Sequence, residues 1–462
     1  MKRISIWIIG LLCLLAVIWP EHGMGKGAPR PAPGSPESAP SGGKGASVSA
    51  SLQQMIDAAP AGAVIKLPAQ TFAGNVVIDK PCQLIGTDGT TIRGDGTGNV
   101  ITIRASHVLL ERLVVEHGGT DRNSAEEYAA VKVSGATDTT IKSLFIADSY
   151  HGIYLKNSDG NVIENVTVQG AGSAEIASQG NGIQLVHANR NKLVNNKITG
   201  TRDGIYFYYA DHNLAEGNRI SGTRYGLHYM YANGNRFWAN RFTGNIGGAA
   251  IMLSRNIELS ANQFSGQNGT QAFGILLKES ENVQIGGNHF SENQRGLYID
   301  NSFNYKITGN TFAHNKIGVE IWASAANGAF SQNRFVRNAV PVVAVGGAGT
   351  NAWSEHGRGN LWAEEPALDL NRDGLGDVPV QYKSSLGRLI KESELVYLFL
   401  GSPSVRIYEE INRLLNRQDI MFTDPHPLAE RAGIHPAAIF AAVAGAALLS
   451  TFYVIRRKRR WG

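Results

Sequence analysis

The chain has 462 residues, of which 54 are glycine and 43% are hydrophobic, which excludes a disordered polymer and suits a folded protein dense in turns. Its formal charge of +5 equals the five positive charges of the final run RRKRR (residues 456–460), so the remainder sums to zero and nucleic-acid binding is excluded as a reading of charge. Cys13 lies in an apolar leader and Cys82 stands alone, which excludes a disulfide framework or a cysteine metal cage within one mature chain.

The opening MKRISIWIIGLLCLLAVIWP has a basic start and an apolar run through Ile18, so residues 1–24 are predicted to be a signal peptide or an N-terminal anchor. Residues 25–46 are rich in Pro, Gly and Ser and read as a linker. SLQQMIDAAP then predicts a short amphipathic helix, with Leu52, Met55 and Ile56 on one side, placed to cap an open sheet end.

From there the sequence repeats. HGIYLKNSDGN, NGIQLVHANRN, DGIYFYYADHN, YGLHYMYANGN, FGILLKESENV and RGLYIDNSFNY align on Gly152, Gly182, Gly204, Gly226, Gly274 and Gly296; adding Gly248 and Gly318 gives a period of 22 with two insertions. A second column runs through Asn196, Asn218, Asn240, Asn262, Asn288 and Asn310. Short period-2 runs broken by Asn and Gly predict several strands per unit. The fold class is therefore all-β, a right-handed parallel β-helix over residues 47–365. About ten regular turns run from Ala130 to roughly Val340, less regular coils precede them from Val64, and the asparagines form a ladder at one corner.

Alternation assigns the two faces. Residues one and three past each glycine are aliphatic or aromatic and face the core, so those two and four past it face out. The middle turns then expose Tyr206, Tyr208, His228, Met230 and Met252. Met230 and Met252 should sit about one strand spacing apart, with His228 about 7 Å along the strand from Met230. Thioether and imidazole select Cu(I), which makes His228, Met230 and Met252 candidate copper ligands; a surface for a protein or lipid partner, to which Tyr206 and Tyr208 would contribute, is the competing reading.

DLNRDGLGD (residues 369–377) places Asp369, Asn371, Asp373 and Asp377 at positions 1, 3, 5 and 9 of a calcium-loop pattern, with Gly374 at position 6. Val380 stands where the closing Glu belongs, so a metal-free polar turn competes with calcium. PSVRIYEEINRLLNRQ (residues 403–418) predicts a helix with Val405, Tyr408, Ile411, Leu414 and Leu415 along one face, packed on the solenoid's end or docked on a membrane partner through Tyr408, Ile411 and Leu415. TDPHPL (residues 423–428) is similar to an epimerase motif but lacks its next Asp, and reads as a loop between helix and membrane. Residues 366–433 form this loop and helical segment. The twenty uncharged residues 436–455, about 30 Å as a helix, place a transmembrane helix over 434–455 and a basic cytoplasmic tail over 456–462, with the body on the extracytoplasmic side.

The cap, the repeats, LDLNRDGLGDVPVQY and SPSVRIYEEINRLLNRQDIMFTDPHPL together resemble the nitrous oxide reductase maturation protein NosD family, with the C-terminal block as the specific part. The resemblance implies an accessory protein outside the cytoplasmic membrane. It would sit on the permease of an ABC transporter and help assemble the copper-sulfide centre of nitrous oxide reductase, together with a copper chaperone. The C-terminal span departs from the soluble members of that family, and the family supplies no motif from which copper ligands carry over. An extracytoplasmic polysaccharide lyase, hydrolase or epimerase is the alternative; Asp203 is its candidate acid, but Asn181 and Tyr225 occupy the matching positions on the neighbouring turns. A surface adhesin is a third reading.

Overall fold

The computed structural model describes residues 51–170, 175–347 and 349–430. Each coil contributes one short strand to each of three parallel sheets. The first sheet has 12 strands, from Ala63–Lys66 to Ala329–Ser331. The second has 13, from Thr71–Ala73 to Leu361–Trp362, and the third 12, from Val76–Ile78 to Val340–Val345. The result is a parallel β-solenoid. The coils before Ala130 pair in the same register as the later ones, so the regular stack is longer than the repeat predicts.

The glycine column has a steric cause. A Cβ on Gly204 would lie 2.4 Å from Ile220 and 2.5 Å from the Gly226 carbonyl oxygen, and one on Gly226 would lie 2.4 Å from the Phe242 ring. At this corner the next coil's backbone and the core side chains of the second sheet converge, and no larger residue fits. Behind it the core is a column of rings: Phe242, Phe264, Phe290, Phe312 and Phe335 stack at 4.7–5.1 Å between centroids.

Buried asparagines satisfy the corners. Asn240 Oδ1 accepts the Asn218 N–H and side-chain amide, both at 2.9 Å, while its own amide donates to the Ala215 carbonyl and to Asn262 Oδ1. The ladder continues through Asn288, Asn310 and Asn333 to Asn360. Asn240→Ala strands the buried Asn218 N–H and should cost about 2–3 kcal/mol. Guanidinium unfolding measures the loss, and hydrogen exchange should rise chiefly in the adjoining coils, because each coil touches only its neighbours.

Both described ends are closed. The helix Leu52–Ala58 is fixed by a Ser51–Gln54 capping box and buries Leu52 and Ile56. Its Gln53 side chain accepts the Val77 N–H at 2.8 Å and donates to the Val77 carbonyl at 3.1 Å, standing in for a missing coil at the edge strand. At the other end Asp419–Asp424 pairs antiparallel with Val380–Ser384, and Phe422 stacks on Trp353 and Trp362. This corrects the reading of TDPHPL as a loop: Thr423 and Asp424 end the strand, and Leu428 bridges to Leu361 and Leu375. Asp424 is fully buried and accepts the Asn360 N–H at 2.7 Å, because the last rung of the ladder has no further coil to bond to.

No helix among the described residues is long and apolar enough to cross a membrane. The predicted transmembrane helix over 434–455, the tail 456–462, the leader 1–24 and the linker 25–46 lie outside the described residues.

Candidate functional site on the outer face of the third sheet

Three consecutive strands of the third sheet, Asp203–Tyr208, Tyr225–Met230 and Gly247–Met252, build the site. Alternation turns Ile205, Phe207, Leu227, Tyr229, Ala249 and Ile251 into the core and the intervening residues outward. Register then aligns Tyr206 with His228 and Ala250, and Tyr208 with Met230 and Met252. The two methionines are direct neighbours on adjacent strands, both half-buried, and His228 lies on the same side two residues before Met230. Met252 also packs against a small outward cluster of Ala250, Phe273 and Leu276.

His228 departs from the expectation of an exposed side chain, being only 9% exposed. Its Nδ1 lies 2.9 Å from Asp203 Oδ2. Arg224 clamps the same carboxylate with two hydrogen bonds, Nε to Oδ1 at 2.9 Å and Nη2 to Oδ2 at 2.6 Å. Burial of Asp203 works to raise its pKa, but the hydrogen bonds from His228 and Arg224 outweigh it and hold the carboxyl below its ordinary value. The Tyr206 and Tyr225 rings meet the imidazole edge-on at 4.9 and 5.3 Å, and the Arg224 guanidinium lies 4.6 Å from the Tyr225 ring centroid. Asp203 is therefore a buried structural anion, not a free acid.

A rim of rings borders the methionines. His187, Tyr209 and Tyr231 stack at 5.2 and 5.1 Å with their planes nearly parallel, on successive coils at the turn that leaves the third sheet. All three adopt positive φ, 48–52°, at a position where other coils carry Asn157 or Asn301. A bulky ring in left-handed backbone is uncommon, and here stacking with its neighbours accompanies it. This rim escaped the sequence reading because it lies five residues past the glycine, beyond the strictly alternating stretch.

Asp369, Asn371, Asp373 and Asp377 are brought onto one tight loop, but the loop is closed by its own backbone. Asp369 accepts the Gly374 N–H, Asp373 that of Leu375, and Asp377 that of Leu370. Among the described residues no cluster of three or more His, Cys, Asp or Glu side chains is placed to hold a metal ion, so calcium gains no support. The predicted helix spans Pro403–Leu414 and buries none of its residues. Val405 packs against the cluster around Leu386 and Ile390, and Tyr408 is half-buried. Ile407, Ile411, Leu414 and Leu415 face solvent, so the predicted apolar stripe is split between an attaching edge and an open face.

Residues 170–366, which contain this site, match the family described as "Periplasmic copper-binding protein (NosD)". A "Probable ABC transporter binding protein NosD" of Stutzerimonas stutzeri is 34% identical over 364 residues, 75% of this chain and 82% of the relative. The protein of the same description from Pseudomonas aeruginosa is 34% identical over 387 residues, 80% and 89% of the two chains. The chain belongs to the NosD family. Among solved structures, the periplasmic alginate epimerase AlgG is similar at 16% identity with a TM-score of 0.48, over 68% of this chain and 83% of that one, too distant to carry an assignment. NosD membership supports an accessory or binding role, an extracytoplasmic body and an association with an ABC transporter. The family is described as copper-binding, and that description names no ligand residues.

Proposed function

We propose that this NosD-family chain is a non-catalytic accessory in the maturation of nitrous oxide reductase, carrying Cu(I) as cargo toward the copper-sulfide centre while docked on the permease of an ABC transporter. The observation that carries the reading is the Met230–Met252 pair beside His228 within a chain whose relatives are named as transporter-binding proteins. Two thioethers and an imidazole are soft, neutral donors suited to a soft monovalent ion. The exposed face of Ile407, Ile411, Leu414 and Leu415 is a surface for the permease, and the Tyr206 and Tyr208 side a surface for a copper chaperone. The apolar residues 434–455 would tether the body to the cytoplasmic membrane.

Hydrolysis or epimerisation of a polysaccharide is disfavoured by Asp203. The acid is buried and clamped by Arg224, and Tyr225 is its register neighbour on the next coil. Deletion of the gene should yield nitrous oxide reductase lacking its copper-sulfide absorption, restored by the wild-type gene and not by a Met230→Leu/Met252→Leu variant. A fully loaded reductase in the deletion strain would reject the reading.

A further inference from the structure

Asp203 and Arg224 belong to neighbouring coils. They converge on one imidazole nitrogen. Ionised carboxylates only accept hydrogen bonds and guanidinium groups only donate them. Oδ2 of Asp203 lies 2.6 Å from Arg224 Nη2 and 2.9 Å from His228 Nδ1, whereas Nη2 and Nδ1 are 3.2 Å apart. The carboxylate oxygen is thus the shared acceptor, and Nδ1 must carry its hydrogen. Among the described residues nothing is hydrogen-bonded to the remaining nitrogen, Nε2, which is also absent from the sealed, unpaired polar atoms of the interior.

Resting on the copper reading above, we propose that Asp203, held by Arg224, is the positioning residue of a Cu(I) cargo site: it fixes the Nδ1–H tautomer of His228, so that Nε2 joins the sulfurs of Met230 and Met252 as a donor. A carboxylate behind a metal-binding imidazole sets its tautomer and orientation. The edge-on rings of Tyr206 and Tyr225 hold the imidazole plane. Arg224 has a second consequence. It cancels the charge of Asp203, so the three donors and their support carry no net charge, and the site selects by softness rather than by electrostatic attraction. Cu(I) is accepted, and Zn(II), which gains most from anionic ligands, is not.

The test uses the purified full-length chain under anaerobic conditions, with bicinchoninate competing for Cu(I) and long-range 1H–15N spectra of labelled histidine reading the tautomer. In Asp203→Asn, Arg224 claims the amide oxygen and the amide NH2 turns to Nδ1. The expected result is a switch of His228 to the Nε2–H form and a Cu(I) affinity about 10–100-fold weaker. Met230→Leu and Met252→Leu should each remove one of two copper–sulfur scatterers from the X-ray absorption spectrum, the double variant both, and all should leave the tautomer unchanged. Should Asp203→Asn fold poorly, the double variant Asp203→Leu/Arg224→Met, which removes the acceptor of Nδ1–H and both charges together, must show the same loss of affinity. Wild-type affinity and an unchanged tautomer in a folded variant would reduce Asp203 to a brace and overturn the proposal. A wild-type chain that takes no Cu(I) from bicinchoninate, yet shows the Nδ1–H tautomer, would instead sink the copper reading itself. Zn(II) bound as tightly as Cu(I) would overturn the selectivity.

Discussion

Glu320→Ala should destabilise the C-terminal module, the segment Val380–Asp424 packed on the last coils, by about 3–5 kcal/mol, the range for breaking one side of a buried ion pair. Glu320 has no exposed surface and lies on the outward side of the third sheet, on the strand Ile317–Trp322. One of its oxygens accepts from Arg295 Nε at 2.7 Å; the other accepts from the Tyr397 hydroxyl at 2.7 Å and the Trp322 indole N–H at 3.2 Å. Arg295 is almost wholly buried and stacks over the Tyr397 ring at 4.1 Å. Alanine at 320 leaves that guanidinium in a dry site with no counter-charge and removes the acceptor of Tyr397, the residue that pins the segment Glu394–Phe399 to the solenoid. The Val396, Tyr397 and Leu400 cluster should open, and limited proteolysis should cut near residues 393–400 in the variant under conditions where the wild type is intact. Glu320→Met combined with Arg295→Leu should recover the part of the loss that comes from the unpaired charge, but not the part that comes from the Tyr397 hydroxyl and Trp322 indole left without an acceptor. A single variant as resistant as the wild type would show that apolar packing alone holds the module.

Asp424→Ala should cost about 3 kcal/mol, because it strands several buried donors at once. The carboxylate accepts the Asn360 N–H at 2.7 Å, the Trp362 indole N–H at 3.0 Å and the His426 N–H at 3.1 Å. These donors close the asparagine ladder and the aromatic column together, with Trp362 stacked on Phe335 and on Phe422. Burial nonetheless pushes the Asp424 carboxyl above its usual pKa, against the hydrogen bonds that favour its charge. The expected result is a lower unfolding midpoint together with a red-shifted tryptophan emission as water reaches Trp353 and Trp362. Asp424→Asn, which keeps an oxygen acceptor, should lose less. Equal losses in the two variants would show that the charge, not the acceptor, closes the end.

The solenoid was legible because its physics is periodic. Gly204 and Gly226 recur since a Cβ there would strike the next coil, and Asn218 and Asn240 recur since each must satisfy the one before it. The same alternation put Met230 and Met252 on the outward side as neighbours. The grouping of Asp203, Arg224 and His228 gave no such signal: Arg224 and His228 lie 21 and 25 residues after Asp203, off the 22-residue column on which stacked partners fall. Contacts that run diagonally between coils depend on side-chain reach, which register does not encode. The Asp424 cap was hidden for a related reason, since its partner Asn360 lies 64 residues earlier in a different kind of structure.

By itself the sequence determined the coil, its period, the face each residue takes and the family, because each depends on a pattern that local sterics and alternation impose on every repeat. Only the tertiary structure decided which outward groups are bare and which are held: His228 is locked against a buried ion pair, the Pro403–Leu414 helix leaves its apolar face open, and Asp424 ends the ladder. Those outcomes come from side chains meeting across unequal sequence distances, where desolvation and hydrogen-bond geometry, rather than periodicity, select the partner.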